Sequence, residues 1–302
     1  MVNEPVLRIT DLTRRFGVTT ALDAVNLAVQ PGTVHGLVGE NGAGKTTLIR
    51  HVLGLLKARI GTVRVFGRDP VEEPVAVLSR IGYLSEENDL PGWMRVDELI
   101  RYTRAFHQGW DDAYAEELRQ AFALDPAAKI KGLSKGQKAR AGLLVALAHR
   151  PDLLVLDEPS SGLDPIVRRD ILGAIIRTVA QEGRTVLFSS HLLEEVEQVA
   201  DHVTMIHHGK VVLSAPLDDI KGSHRCVTMR FAHGRDQPAA IDGVVRWDGA
   251  GAEWTALARG TSDELANAAS SCGGTIVSEH VPSLDEVFVA YVGRPATSGR
   301  DA

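Results

Sequence analysis

Residues 39–47 combine residue types that can hold a chain of phosphates. They read GENGAGKTT and fit the spacing G-x-x-x-x-G-K-[ST]. Glycines let a loop curl so that several backbone N–H groups point at one anion. An apolar run at 34–38 predicts a buried strand before the loop, and a helix is predicted to open at Thr46 with its positive end toward the phosphates. We therefore predict a nucleoside triphosphate site.

The side chains of this loop have distinct expected roles. Lys45 is expected to reach the β- and γ-phosphates, and the Thr46 hydroxyl to ligate Mg²⁺. A chance glycine-rich turn is the alternative, and the strand and helix signals on either side disfavour it. The other loop residues predicted to bind the nucleotide are Gly39, Glu40, Asn41, Gly42, Ala43, Gly44 and Thr47.

Two adjacent carboxylates, Asp157 and Glu158, follow the apolar residues 153–156. A buried strand that ends in carboxylates presents them at the carboxyl edge of a parallel sheet, where α/β proteins bind ligands. We expect Asp157 to hold Mg²⁺, directly or through water, and Glu158 to be the general base that orients the attacking water. The alternative is an ordinary acidic turn, which a phosphate loop in the same chain disfavours.

Residues 133–137 read LSKGQ and precede a predicted helix over residues 138–148. Ser134 and Gly136 at a helix start offer an anion a hydroxyl, backbone N–H groups and the positive end of the helix dipole. Two γ-phosphate sites far apart in one chain make sense if the second serves the nucleotide of a partner. Taken alone, the run also fits a simple helix N-cap.

Composition limits the classes of function. The 302 residues carry a net charge of −6 and only two cysteines, and the pI is near 6.0. This balance argues against a nucleic-acid partner, and the cysteine count favours a reducing cytosol. No apolar run approaches the roughly 18 residues that cross a bilayer, so any membrane span must come from another chain.

The order of helix and strand patterns predicts the domains. Strands and helices alternate over residues 1–220, which predicts a mainly parallel α/β sheet with a helical insertion at about 87–150. Residues 221–293 fit a small α+β domain, and the polar residues 294–302 predict a disordered tail. Strands of the small domain are predicted at 226–231, 244–247, 254–257 and 275–280, and helices at 262–271 and 283–292.

Together these motifs resemble the ATP-binding cassette (ABC) family. The phosphate loop, LSKGQ, LLVLDEP, SGLD at 161–164 and His191 occur in the family's order over residues 5–220. The resemblance implies a P-loop NTPase fold and the ATPase subunit of a bacterial exporter-type transporter. It further implies a homodimer that sandwiches ATP and Mg²⁺, in which Ser134, Gly136 and Gln137 contact the nucleotide of the other copy.

Other implied features come from the same resemblance. His191 corresponds to a switch histidine near the γ-phosphate, and Phe16 to the aromatic residue that stacks on adenine, with a half-buried core aromatic as the alternative. Glu86 occupies the place of a glutamine that ligates Mg²⁺, which adds negative charge beside the triphosphate. Lys135 replaces the first glycine of the signature, while Gly136 is retained.

The implied partner is an integral membrane permease on a separate chain, which would hold this protein at the inner face of the cell membrane. Residues 89–94 correspond to the region that receives a permease helix. Leu90, Trp93 and Met94 are expected to be exposed there, with packing inside the helical insertion as the alternative. The small C-terminal domain is similar to the tail domain of exporter ATPases, and dimerisation or regulation is a hypothesis for it.

Two other functions remain open from the sequence. A soluble ABC ATPase of DNA repair would need a long coiled-coil insertion, and only 87 residues separate Lys45 from Leu133. Translation members usually carry two cassettes, and this chain has one. A regulatory nucleotide-binding module without turnover is disfavoured because both Glu158 and His191 are present.

Overall fold

The computed structural model describes residues 4–87, 89–180, 183–238 and 240–293. The predicted disordered tail at 294–302 lies outside these residues. The chain forms two compact units, Met1–Ser214 and Ala215–Ala302. Within the described ranges, no helix has the length and apolar character needed to cross a bilayer.

The strands up to the unit boundary are β1 (Leu7–Phe16), β2 (Thr19–Val29), β3 (Val34–Val38), β4 (Ile60–Val65), β5 (Ile81–Leu84), β6 (Leu153–Asp157), β7 (Thr185–Ser190), β8 (His202–His207) and β9 (Lys210–Pro216). The helices are α1 (Lys45–Val52), α2 (Pro74–Leu78), α3 (Val96–Arg104), α4 (Asp112–Ala121), α5 (Lys135–Leu147), α6 (Pro165–Ala180) and α7 (Leu193–Val199), with a 3₁₀ turn at Ile130–Gly132. Neither β9 nor α2 was predicted from the sequence.

A six-stranded sheet in the order β5-β6-β7-β3-β8-β9 forms the centre of the first unit. Strands β5, β6, β7, β3 and β8 pair in parallel, which confirms the predicted mainly parallel α/β fold. Strands β3, β6 and β7 are buried along their whole length, as apolar runs in a parallel sheet should be. Parallel pairing brings the carboxyl ends of these three strands to one edge.

A second sheet, β2-β1-β4, is antiparallel and belongs to the same unit. Its apolar faces share one core with α1 and with the central sheet. Burial of these side chains holds α1, the helix that follows the phosphate loop, between the two sheets. The core includes Leu7, Leu12, Leu22, Val25, Leu48, Ile49, Val52, Leu153, Val155 and Leu187.

The helical insertion contains α3, α4 and α5. Asp111 is the N-cap of α4, and its carboxylate accepts a hydrogen bond of 2.9 Å from the backbone N–H of Tyr114. Helix α5 begins at Lys135, three residues before the predicted start. The cause is a capping box in which Ser134 and Gln137 each accept a hydrogen bond from the backbone N–H of the other.

The second unit contains α8 (Leu217–Ser223), β10 (His224–Arg235), β11 (Val244–Arg259), α9 (Ser262–Ser271), β12 (Gly274–His280) and α10 (Leu284–Val292). Its strands form an antiparallel sheet in the order β11-β10-β12. The predicted strands at 244–247 and 254–257 are one strand, β11. The prediction was wrong there because Gly249 and Gly251, both at positive φ, read as a break in the sequence.

Gly82 in β5 leaves no room for a side chain, which gives a stability prediction. A Cβ atom there would lie 2.0 Å from the carbonyl oxygen of Ala146 in α5, so the helix and strand would have to separate. We expect Gly82→Ala to lower the free energy of unfolding by about 1–3 kcal/mol in urea titrations. Gly132→Ala is the control, since no atom lies within 4 Å of its Cβ position. Equal stability of the two variants would contradict the packing argument.

Candidate functional site

The phosphate-binding loop connects β3 to α1, as predicted, and its glycines are required by close contacts. A Cβ atom on Gly39 would lie 2.3 Å from the carbonyl oxygen of Ile206. Gly44 has a φ of 115°, and its Cβ would lie 2.6 Å from the carbonyl oxygen of Ala21. Any side chain at these two positions would displace neighbouring backbone, so the curled path of the loop depends on glycine.

The Lys45 side chain folds back over the loop and is buried. Its ammonium donates to the carbonyl oxygens of Gly39 at 2.6 Å and Glu40 at 3.1 Å. It also forms an ion pair with Glu158 Oε1 at 2.9 Å, and both side chains are only 5% exposed. A buried charge needs such a partner, because an unpaired one carries a large desolvation cost.

Asp157 at the end of β6 lies beside the start of α1. The Thr46 hydroxyl donates to Asp157 Oδ1 at 3.2 Å, and the Ser189 hydroxyl donates to the same oxygen at 2.7 Å. Hydroxyl and carboxylate oxygens are the hard donors that Mg²⁺ takes in proteins. The donor set at this position therefore fits a Mg²⁺ ion.

Glu158 is held between Lys45 and His191. The imidazole Nδ1 of His191 lies 2.6 Å from Glu158 Oε2, and the backbone N–H of His191 donates to the same oxygen at 3.3 Å. Glu158 has a φ of 49°, a left-handed conformation that is uncommon for residues with a side chain. Its backbone N–H is bonded to Ser189, which compensates part of the cost of this conformation.

A cleft of about 200 Å³ brings six of the predicted loop residues together with Glu86 and Glu158, while Gly39, Glu40 and Ala43 do not line it. The Ser161 hydroxyl lies 3.5 Å from Glu86 Oε1, so the first residue of the SGLD run contacts a residue that lines this cleft. The lining of the cleft therefore combines one ammonium group, that of Lys45, with two carboxylates, those of Glu86 and Glu158. It is lined by Ala21, Asn41, Gly42, Gly44, Lys45, Thr46, Thr47, Glu86 and Glu158.

Other predicted residues lie outside this cleft. Among the described residues, its lining includes none from α5, where the Ser134 and Gln137 side chains form the capping box. Gly136 packs against α6, since a Cβ there would lie 2.7 Å from Val167 Cγ2. Phe16 ends β1 with 46% of its surface exposed, and the Arg14 guanidinium lies 4.6 Å from its ring centroid.

Sequence reasoning missed two polar residues that position the site. Ser189 holds both Asp157 and the backbone of Glu158, and it is recognisable only once β6 and β7 are known to be neighbours. Glu195 in α7 is buried and accepts a hydrogen bond of 2.5 Å from Ser160. Its other oxygen pairs with Arg168 of α6 at 3.0 Å. This network fixes the chain that follows Glu158.

An apolar groove of about 570 Å³ lies between α2, β5, α3 and α5. Its lining includes Leu55, Val75, Leu78, Tyr83, Phe106 and His149. The imidazole ring of His149 stacks on that of His107, with the ring centroids 3.8 Å apart. Burial, and secondarily the charge of His107, lowers the pKa of His149 to about 4. The imidazole is therefore neutral near pH 7, and the groove keeps its apolar character.

Residues 89–94, predicted to be the exposed docking segment, do not line this groove. Trp93 is 73% exposed, whereas Met94 is buried, which agrees with the alternative of packing inside the helical insertion. The Met94 carbonyl accepts a hydrogen bond of 2.9 Å from Ile130, which draws the residue into the insertion.

Comparisons with known proteins identify the family of this chain. Residues 22–161 match the ABC transporter family. The chain is 36% identical over 225 residues to the bacitracin transport ATP-binding protein BcrA of Bacillus licheniformis, covering 73% of this chain and 72% of that protein. It is 32% identical to the daunorubicin/doxorubicin resistance ATP-binding protein DrrA of Streptomyces peucetius, covering 94% of this chain and 92% of the relative.

A solved ATP-binding subunit of an ABC transporter has a TM-score of 0.66 and 29% identity, covering 72% of this chain and 92% of that one. The chain thus belongs to the ABC transporter family and has its P-loop NTPase fold. It is an ATPase and the ATP-hydrolysing subunit of such a transporter, and the soluble alternatives are not favoured.

Glu86 gives a prediction for turnover. We expect Glu86→Gln to keep or raise the rate of ATP hydrolysis, because the amide retains a side-chain oxygen and removes one negative charge beside a polyanion. The measurement is phosphate release at saturating ATP and Mg²⁺. Glu87→Gln, an exposed neighbour, is the matched control. Complete loss of turnover in Glu86→Gln alone would show that the two groups are not equivalent.

Proposed function

We propose that this chain hydrolyses ATP in the cleft around Lys45 and that Glu158 is the general base. The observation that carries the proposal is the position of the Glu158 carboxylate, 2.9 Å from Lys45 and 2.6 Å from His191. Phosphate oxygens compete with Glu158 for the Lys45 ammonium, so nucleotide binding frees one carboxylate oxygen. Glu158 then orients the attacking water and accepts its proton.

The remaining residues of the cleft bind and position the nucleotide. The backbone of residues 39–47 surrounds the phosphates, and His191 contacts the γ-phosphate while it holds Glu158. Thr46, Asp157 and Glu86 hold Mg²⁺, which supplies positive charge to the phosphate oxygens. Phe16 stacks on the adenine ring through its exposed face.

A second copy of the chain completes the site in this proposal. Ser134, Gly136 and Gln137 lie at the start of α5, outside the cleft of their own chain, where backbone N–H groups and the helix dipole attract an anion. In an antiparallel pair of copies, these residues bind the nucleotide held by the other copy. ATP then acts as the contact that closes the dimer.

Replacement of Glu158 by Gln tests the base and the dimer together. The amide retains the shape of the side chain but cannot accept the proton, so we expect turnover to fall by at least about 10²-fold while ATP still closes the dimer. Size-exclusion chromatography with light scattering should give a dimer in ATP and Mg²⁺ and a monomer in ADP. Glu87→Gln serves as the control and should not trap a dimer.

The outcomes separate the two parts of the proposal. If Glu158→Gln loses turnover but stays monomeric in ATP and Mg²⁺, the contribution of the second copy is wrong for this chain. If the variant retains turnover, Glu158 is not the base.

We also propose that the apolar groove binds a short helix of a separate membrane permease. Helices commonly bind partners by placing an apolar face into such a groove. Val75 and Phe106 are 82% and 66% exposed on its rim. Docking there holds the chain at the inner face of the membrane. The names of the relatives, bacitracin transport and daunorubicin/doxorubicin resistance, support export as the direction.

Charge placed on the rim of the groove should disrupt this contact. We expect Val75→Asp to abolish copurification of a multi-span protein from native membranes, because a carboxylate would be desolvated at the interface. Basal ATP hydrolysis of the isolated chain should be unchanged. Ile60→Asp is the matched control, since Ile60 is 58% exposed on β4 outside the groove. Equal recovery of the membrane protein with both variants would contradict the proposed docking site.

A further inference from the structure

Three side chains of the second unit place sulfur, nitrogen and oxygen donors together. Cys226 in β10 and His280 in β12 are directly paired across the antiparallel sheet, so their side chains share one face. Glu286 lies in the first turn of α10, and its Oε1 is 2.9 Å from His280 Nε2. None of these three residues belongs to the nucleotide cleft.

The spacing of the three donor atoms suits one metal ion. Cys226 Sγ, a ring nitrogen of His280 and a carboxylate oxygen of Glu286 all lie within 4.8 Å of one another. Zinc ligands lie about 2.0–2.3 Å from the ion, so two ligands of one ion are at most about 4.6 Å apart. Small rotations of the side chains would bring the donors to coordinating distances.

The carboxylate is already oriented by other groups. Glu286 Oε2 accepts hydrogen bonds from the backbone N–H of Ser283 at 2.8 Å and from its hydroxyl at 3.0 Å. These bonds leave Oε1 to face His280. Fixed outer contacts of this kind orient the ligands of metal sites and are part of their affinity.

An exposed ion pair between His280 and Glu286 is the simpler explanation of part of this cluster. Their side chains are 54% and 44% exposed, and pairs of this kind contribute little to stability. The pair does not explain why Cys226 Sγ also lies within 4.8 Å of a donor atom of each residue.

We infer that Cys226, His280 and Glu286 form a binding site for a divalent transition-metal ion of the zinc class. Zinc accepts thiolate, imidazole and carboxylate ligands, and three protein ligands leave a fourth position for water. On binding, the Cys226 thiol releases its proton to solvent. His280 offers the lone pair of Nε2 and carries its proton on Nδ1, so the hydrogen bond to Glu286 is replaced by two bonds to the metal. The ion would link β10, β12 and α10.

Titration of the full-length, chelator-treated chain with ZnCl₂ tests the site. We expect calorimetry to show one Zn²⁺ per chain, and Co²⁺ to produce a thiolate-to-metal charge-transfer absorption band. Cys226→Ser should abolish the band, and Cys226→Ser and His280→Ala should each weaken zinc binding by more than about tenfold. Glu286→Gln should also weaken binding, while its amide can still cap α10.

Matched variants show whether binding is specific to this cluster. Cys272→Ser and His233→Ala change the other cysteine and an exposed histidine of the same unit, and both should bind zinc as the unaltered chain does. Thermal melts without metal establish that each variant folds, and the exposed position of His280 keeps that variant informative if Cys226→Ser unfolds. Absence of zinc binding by the unaltered chain, or binding that survives His280→Ala at full affinity, would overturn the inference.

Discussion

The buried ion pair between Lys45 and Glu158 is the interaction on which the site depends. The two residues are more than a hundred positions apart and meet because β3 and β6 run parallel on either side of β7. A parallel sheet ends its strands at one edge, so each loop that leaves that edge delivers its side chains to the same place. The pair also sets a constraint, because loss of either partner would leave a buried charge without compensation.

The middle strand, β7, supplies the polar groups that connect the two sides. Ser189 holds Asp157 and the backbone of Glu158, and His191 holds the Glu158 carboxylate. Beyond them, Glu195 joins Ser160 to Arg168 and so ties the chain after β6 to α6 and α7. These hydrogen bonds and ion pairs join residues that are distant in the sequence, which is how the site remains polar inside an apolar sheet.

The main features of the fold follow from local patterns in the sequence. Strands β3 and β6 are apolar runs that lead directly into a glycine-rich loop and a pair of carboxylates, so both the sheet and its reactive edge were predictable. Contacts between distant segments were not. Ser189 acquires its role from a neighbouring strand, Met94 is buried through a bond to Ile130, and β11 continues through glycines that normally interrupt a strand.

The capping box at the start of α5 has a chemical consequence for the proposed contact between copies. The Ser134 oxygen accepts the backbone N–H of Gln137, and its own hydroxyl proton is left for another acceptor. A serine can therefore cap the start of the helix and, with no rearrangement, also donate a hydrogen bond to an incoming phosphate. Aspartate would cap the start of the same helix equally well, but its negatively charged oxygens would repel the phosphate. The identity of the N-cap residue thus decides whether the start of the helix can also bind an anion.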